Sequence, residues 1–344
     1  MSEKINFLLA GCGRIGQRHA QIMSSLGQLQ SVCDIDLDKA IFIANQYNCA
    51  YFTSFDTMLA SSKADSLVAI CTPNYLHAPQ SIAALQHQLH VLCEKPMALT
   101  GKDCAAMIHA ADAANKKLFV VKQNRYNPAV AAVKEILDAN RLGKIYSIQL
   151  SCFWNRNNHY YENTWKGKKA LDGGTLYTQF SHFIDLLYWM FGDVKHLQAI
   201  IKNSAHQGVI EFEDNGAVTL EFNNGIIGSI NYTVNAYQKN MEGSLTIFGE
   251  KGTVKIGGQY LNELEYQAIE NYTIPTLPSG NAANKYGDYE GSMSNHEQVY
   301  EHVINTLKQA NTGVVTNSFE ALKTVEIIER IYQAADHTIW EQAL

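Results

Sequence analysis

Apolar and polar positions change rhythm near residue 125. Before that point, short apolar runs alternate with stretches of helical period. Ile5–Ala10, Gln30–Cys33, Ser66–Cys71, Val91–Cys93 and Leu118–Val121 read as strands. Arg18–Leu26, Ala40–Tyr47, residues 79–88 and Lys102–Ala114 read as helices between them. Repeated strand–helix units of this length predict a parallel sheet with helices on both faces. After Asn127-Pro128 comes a helix with Val130, Val133, Ile136 and Leu137 on one side, stopped by Gly143. From Tyr146 the period becomes two: Ile148, Leu150, Cys152 and Trp154 alternate with Ser147, Gln149 and Ser151. Val218, Leu220 and Phe222 repeat the pattern, and Asn224-Gly225 turns the chain into Ile226–Val234. Leu245–Phe248 and Val254–Ile256 flank Glu250-Lys251-Gly252 as a second hairpin, and Phe319–Trp340 reads as a closing helix.

The pattern predicts an α/β protein: a doubly wound parallel domain, residues 1–123, then an α+β domain, residues 124–344, on an open, mainly antiparallel sheet. The length of 344 residues fits two domains at roughly 150 residues each. An open sheet with one exposed face predicts a homo-oligomer, with a tetramer favoured over a dimer.

Composition narrows the class without changing the picture. With 46% hydrophobic and 17% charged residues the chain can bury a large core. The net charge of −6 and the absence of basic blocks exclude nucleic acid as a main partner. The N-terminal apolar run is too short for a secretory core or a bilayer span, so no membrane association is expected. The seven cysteines form no Cys-x-x-Cys pair, which predicts a reducing, cytoplasmic setting. The twelve histidines show no metal-ligand spacing, and no metal is expected.

The chemistry starts at Gly11-x-Gly13-x-x-Gly16, after an apolar strand and before a helix. Gly11 suits a tight turn, Gly13 a close approach of pyrophosphate, and Gly16 close helix–strand packing. The N–H groups around Arg14 and Ile15 open the helix with a positive dipole end. Asp34, ending the second strand, suits a ribose diol. The apolar Ile35 beside it disfavours a 2′-phosphate, so the expected cofactor is NAD. Cys71–Pro79 brings Thr72, Pro73, Asn74 and His77 to a strand's carboxyl end, where ligands of open parallel sheets bind. Glu94-Lys95-Pro96 comes after the next strand. There Lys95 can donate to a substrate hydroxyl, and Pro96 fixes the turn, a place where a cis bond fits.

In the second half, Asp172–Gly192 carries an apolar stripe of Leu176, Phe180, Phe183, Ile184, Leu187 and Phe191. Thr178, His182 and Asp185 form a polar ladder beside it, with Gln179 next to Thr178. A carboxylate one turn from His182 can orient its ring. The loop before this helix holds Arg156, Tyr160, Tyr161, Trp165, Lys166, Lys168 and Lys169, cations and aromatics in an acidic protein.

Taken in order, Gly11-x-Gly13-x-x-Gly16, Asp34, Thr72-Pro73-Asn74, Glu94-Lys95-Pro96, Gln123-x-Arg125 and Gly173-Gly174 leading to His182 resemble the glucose–fructose oxidoreductase, inositol dehydrogenase and MocA family. The resemblance covers essentially the whole chain, and Glu-Lys-Pro is its most specific part. The stretches "VKQNRYNP" and "WNRNNHYYENTWKGKKALDGGTLYTQFSHFIDLL" resemble a branch of bacterial UDP-N-acetyl-2-amino-2-deoxy-D-glucuronate dehydrogenases. These oxidise a sugar C3 hydroxyl on the route to surface polysaccharides such as lipopolysaccharide O-antigen. The resemblance implies Lys95 and His182 as the catalytic pair. It implies Gln123 and Glu94 near the cofactor, and Arg125, Arg156, Tyr160, Trp165, Lys166, Thr178 and Gln179 around a nucleotide sugar. Many family members carry aspartate where this chain has Thr178. His182 is the first choice as proton acceptor with Lys95 polarising the oxygen, and the reverse assignment stays open. The alternatives are a family dehydrogenase acting on an inositol or another sugar, a glycosidase with transient oxidation, and a non-catalytic NAD-binding sensor.

Overall fold

A computed structural model of the chain describes residues 5–285, 290–308 and 317–336. These residues form two compact units, one of residues 5–122 with 296–308 and 317–325, the other of residues 123–285 and 290–295 with 326–336.

The first unit is built on six parallel strands: β1 Asn6–Ala10, β2 Gln28–Cys33, β3 Ala50–Phe52, β4 Leu67–Ile70, β5 His90–Cys93 and β6 Leu118–Val120. Their order is β3-β2-β1-β4-β5-β6. This is the Rossmann arrangement, with its switch point between β1 and β4. Phe7–Leu9, Leu67–Ile70 and Val91–Cys93 are completely buried. Burial on both faces is why these strands read as continuous apolar runs rather than alternating ones. The expected helices are present, the first beginning earlier than expected at Arg14 and ending at Leu26. Helix His296–Leu307 returns to pack on it. Its Tyr300 meets Phe7 edge to face, with ring centroids 6.0 Å apart.

The large sheet of the second unit has seven strands: β7 Ile145–Phe153, β8 Val194–Lys202, β9 Asn215–Phe222, β10 Ile227–Thr233, β11 Glu242–Gly249, β12 Gly252–Gly257 and β13 Glu263–Ile269. The order is β13-β12-β11-β7-β10-β9-β8, antiparallel except for the β7–β10 pair. Both expected hairpins, β9–β10 and β11–β12, form. Ile148, Leu150, Val218, Leu220, Ile230, Leu245, Ile247, Val254 and Ile256 face the core. The other face shows Ser147, Gln149, Thr219 and Ser229 together with exposed Ile200, Ile227, Phe248 and Tyr266.

The helix expected across residues 172–192 is interrupted. It comprises Thr175–Thr178 and Ser181–Phe191. The N–H of Phe180 bonds to the carbonyl of Thr175, five residues back, at 3.3 Å. Such a wide turn inserts a residue into the helical repeat and rotates the segment beyond it. Thr178 and His182 therefore do not lie on one continuous ladder, as period alone predicted. The closing helix runs Ser318–Asp336, and the part expected at 337–340 lies outside the described residues. No helix among the described residues is long and apolar enough to cross a membrane.

Candidate active site

In the first unit the loops after β1, β2, β4 and β5 gather at the carboxyl edge of the sheet, beside its switch point. The three glycines of the first loop differ in what surrounds them. Gly11 has φ +92°, and a Cβ there would lie 2.5 Å from the carbonyl oxygen of Cys71. A Cβ on Gly16 would lie 1.9 Å from the carbonyl oxygen of Gly11. A Cβ on Gly13 would meet nothing within 4 Å. Gly11 and Gly16 thus serve the fold, while Gly13 leaves space on the ligand side. Gly13 is the N-cap of helix Arg14–Leu26, without a capping side chain and with no acidic residue in the first turn. A diphosphate fits that positive end. Arg14 is exposed and Ile15 half-buried beside it.

Two backbone N–H groups fix Asp34. Its Oδ2 accepts the N–H of Cys12 at 2.7 Å, and its Oδ1 accepts the N–H of Asp36 at 2.9 Å. A carboxylate has about four acceptor positions, so lone pairs remain for a ribose diol. Ile35 is 93% exposed. These residues fit a dinucleotide.

At the next two loops the structure redistributes roles. Thr72 donates its hydroxyl to Gln80 Oε1 at 2.6 Å, and Asn74 is buried. Both ring nitrogens of His77 face carbonyls: Nδ1 lies 2.7 Å from Pro96 O and Nε2 2.9 Å from Thr72 O. His77 thereby clips the Thr72 loop to the Lys95–Pro96 turn, whose peptide bond is cis. Burial lowers the His77 pKa, against the pull of the two carbonyls.

Glu94 is buried, not set at a solvent mouth. Its Oε1 lies 3.0 Å from His19 Nε2 and 3.3 Å from His296 Nε2, while its Oε2 accepts the N–H of Lys95 at 3.0 Å. His19 Nδ1 in turn meets the Tyr300 hydroxyl at 2.6 Å. Burial alone would push the Glu94 carboxyl up, but the two imidazoles outweigh it and hold it well below the carboxylate range. Burial also lowers His296. This network sets the backbone from which half-buried Lys95 projects.

In the second unit, the turn of 3-10 helix Gln123–Tyr126 lies against helix Ser181–Phe191. Gln123 Nε2 is 3.1 Å from His182 Nε2, and Asn295 Nδ2 donates to the carbonyl of Gln123 at 3.1 Å. Arg125 grips Asp185 with Nε on Oδ2 and Nη2 on Oδ1, both at 2.8 Å, and stacks on Trp189 at 4.8 Å. The expected partner of His182, Asp185, is therefore bound through both oxygens to Arg125. The amide of Gln123, expected at the cofactor, faces the His182 ring.

Arg156, expected as a loop cation around a nucleotide sugar, is buried. It is 3% exposed. Its Nε donates to Gln179 Oε1 at 3.0 Å and its Nη1 to Asn240 Oδ1 at 3.0 Å, with the guanidinium 5.3 Å over the Tyr160 ring. Gln179 Nε2 donates to the Tyr160 hydroxyl at 2.9 Å, and Lys166 Nζ sits 4.0 Å from that ring's centre. Trp165 is half-buried, and Lys168 and Lys169 are exposed. His206 holds the carbonyl of Arg156 through Nε2 at 2.8 Å, and its Nδ1 lies 3.0 Å from Asp214. Burial raises Asp214, but the N–H groups of Ser204 and Ala205 outweigh it and hold it well below the carboxylate range.

Sequence reading missed His19, His296, Tyr300 and Glu213, whose partners include residues remote in sequence, and Asp172, His206 and Asp214, which no motif marked. Glu213 Oε1 accepts the hydroxyls of Tyr332 at 2.7 Å and Tyr232 at 3.2 Å, and burial pushes this carboxyl up to about 7. Asp172 Oδ2 accepts the N–H of Gly167 at 2.8 Å, and its Oδ1 accepts the hydroxyl of Thr178. Among the described residues, His19, Glu94 and His296 form the one group whose potential metal-ligand atoms cluster, within 4.8 Å.

Two family models match the chain. One, an oxidoreductase family with NAD-binding Rossmann fold, covers residues 5–122, and the GFO/IDH/MocA C-terminal domain covers 130–255. The fold is similar to the WlbA dehydrogenase from Chromobacterium violaceum, solved with NADH and UDP-GlcNAcA. That protein is 35% identical, with 98% of this chain and 95% of that chain covered and a TM-score of 0.87. It is equally similar to the WlbA dehydrogenase from Bordetella pertussis, solved with the same ligands: 34% identical, 97% of each chain covered, TM-score 0.85. Over 284 residues the chain is 27% identical to 2,7-anhydro-N-acetylneuraminate hydratase of Escherichia coli K12, covering 77% of this chain and 74% of that one.

This geometry makes three outcomes testable. Gly13→Ala should melt like the wild type and lose NADH affinity in a fluorescence titration, whereas Gly16→Ala should lose about 1–3 kcal/mol of stability through the clash with Gly11. Asp185→Asn or Arg125→Met should cost roughly 3–5 kcal/mol in denaturant, since each leaves the other group buried and charged. Glu213 has a folded pKa above its unfolded value, so its contribution is full below about pH 4.5 and lost as pH rises through about 7. Between pH 5 and 8, Glu213→Gln should therefore gain roughly 3 kcal/mol relative to the wild type. The titrations of His77 and His296 run the opposite way but are common to both chains. Parallel stability curves would contradict the assignment.

Proposed function

This chain belongs to the GFO/IDH/MocA oxidoreductase family, and from that premise we propose that it oxidises the C3 hydroxyl of UDP-N-acetyl-2-amino-2-deoxy-D-glucuronate to the 3-keto sugar. The likeness to two WlbA dehydrogenases solved with NADH and UDP-GlcNAcA, over nearly the full length of both chains, carries this reading. NAD, when bound, supplies the hydride acceptor. In the proposed reaction His182 accepts the hydroxyl proton, and Lys95 polarises the oxygen on which negative charge grows. Gln123 Nε2, 3.1 Å from His182 Nε2, orients the imidazole and must give way there for that nitrogen to take the substrate proton. The Glu94–His19–His296 network supports the role of Lys95, because it fixes the backbone beneath the amine.

The anionic groups of the substrate need cations and an aromatic platform. Tyr160, Trp165 and Lys166, on a base built by Arg156 and Gln179, supply that chemistry. Gly11, Gly13, Gly16, Asp34 and the Thr72–Asn74 loop receive the dinucleotide in this reading. The exposed sheet face with Ile200, Ile227, Phe248 and Tyr266 serves self-association. The 27%-identical hydratase favours one rival, in which oxidation is transient and no NADH accumulates.

Purified protein with NAD and UDP-N-acetylglucosaminuronate should generate the near-ultraviolet absorbance of reduced nicotinamide, whereas myo-inositol should not. Lys95→Ala and His182→Asn should each lower kcat by about 100-fold or more with NADH affinity retained. Substrate conversion without NADH would instead support the transient-oxidation rival. Near-normal turnover in both variants would remove the two side chains from the reaction.

A further inference from the structure

We propose that Glu213 is a positioning residue for His182, acting through Tyr332 and Thr175 on the turn from which the histidine's helix departs. This rests on the reading of His182 as proton acceptor given above. Glu213 and Tyr332 together hold three consecutive residues of that turn. A Cβ on Gly174, at φ +141°, would strike the Tyr332 hydroxyl and lie 3.5 Å from Glu213 Oε2, so both groups sit directly on its backbone. The hydroxyl of Thr175 donates to the Glu213 carbonyl at 2.6 Å. The N–H of Leu176 donates to the Tyr332 hydroxyl oxygen at 3.3 Å, and that hydroxyl donates to Glu213 Oε1 at 2.7 Å. A tyrosine hydroxyl has one proton, so the N–H on one side directs it to the carboxyl on the other. The Thr175 carbonyl then accepts the N–H groups of Gln179 at 2.9 Å and Phe180 at 3.3 Å, and Ser181 begins the helix that carries His182.

The clamp suits a neutral acid. Glu213 is buried, and the Tyr232 hydroxyl also donates to its Oε1, at 3.2 Å. Both hydroxyls thus use one oxygen, while the buried Oε2 has no hydrogen-bond partner among the described residues. A carboxylic acid divides its oxygens in this way: the carbonyl oxygen accepts twice and the other keeps the proton. Tyr232 from β10, Tyr332 from the closing helix, Asp172 from the turn before Gly173 and Tyr161 from helix Asn158–Tyr161 face the carboxyl, and Asp214 follows it in the chain. None of these brings positive charge. Burial pushes the Glu213 carboxyl up to about 7, so its charge appears within the neutral range. Once ionised, it is repelled by Asp172 and drawn towards water, which pulls against the anchorages of residues 174–176.

The test follows the histidine ring signals of the NADH-bound full chain by nitrogen NMR across the neutral range, with those of His182 identified by their loss in His182→Asn. In the wild type they should show a second step near pH 7, beside the titration of the ring itself. Glu213→Gln keeps the acceptor but cannot ionise, and it should remove that step. Tyr332→Phe keeps the ring stacked on Tyr177 but breaks the link to Leu176, and it should largely abolish the step. A step of full size in Tyr332→Phe would show that Glu213 reaches His182 as charge alone, and no step in the wild type would show that it does not reach it; either overturns the inference. With NAD and UDP-N-acetylglucosaminuronate, Tyr332→Phe and Glu213→Leu should each lower kcat about 3- to 10-fold with NADH affinity unchanged. Glu213→Gln should restore kcat to within about twofold of the wild type. Wild-type kcat in both Tyr332→Phe and Glu213→Leu defeats the inference and leaves the substrate reading standing. Should Glu213→Leu fail to fold, Tyr332→Phe and Glu213→Gln decide. A wild type that shows the second step but does not convert the sugar nucleotide fails the substrate reading and leaves the coupling of Glu213 to the His182 ring in place.

Discussion

A carboxylate removed from water must be answered from several directions at once, and Glu94 is where the first unit meets that demand. Two imidazoles and one backbone N–H converge on it, with Tyr300 behind His19. Losing any of these partners would leave charge or a polar group stranded in the interior, at a cost far above that of an ordinary hydrogen bond. The rigidity this enforces passes along one residue of backbone to Lys95, whose amine stands half-buried at the carboxyl edge of the sheet. His77 holds the other side of the same turn through the Pro96 carbonyl. The interior of this unit therefore dictates where a flexible four-carbon side chain begins.

The second unit solves similar problems with three separate carboxylates. Asp185 neutralises Arg125 beneath the His182 helix. Asp214 orients His206, which holds the carbonyl of Arg156 and so the platform of Tyr160. Asp172 joins the lysine-bearing loop to Thr178. Period marked Asp185, but for His182 rather than for Arg125, and neither period nor resemblance marked Asp172 or Asp214.

What could be read from the sequence was what local physics specifies. The glycine loop, Asp34 and the Glu-Lys-Pro turn stand out because their tasks depend on neighbours a few residues away and on strand ends that apolar runs announce. The alternating strands and the Asn224-Gly225 turn were visible for the same reason. Long-range pairings were hidden: His19 and Tyr300 are 281 residues apart, and no local pattern joins them. The wide turn at Phe180 was hidden because apolar spacing survives the insertion of one residue. Arg156 was read as a loop cation for a nucleotide sugar; the groups that bury it, Gln179 and Asn240, come from elsewhere in the chain and leave no local mark.

The parallel pairing of β7 with β10 has a consequence for how this architecture can diversify. The chain leaves the sheet at β7, in its middle, and re-enters at β8, on its margin. Everything between, from Asn155 to Gly192, is a traverse whose two anchorages are secured by backbone ladders rather than by its own composition. Loops in that traverse can be lengthened, shortened or re-coloured with new side chains while the strands keep their registration. One scaffold can therefore exchange the molecules it handles without renegotiating its foundations.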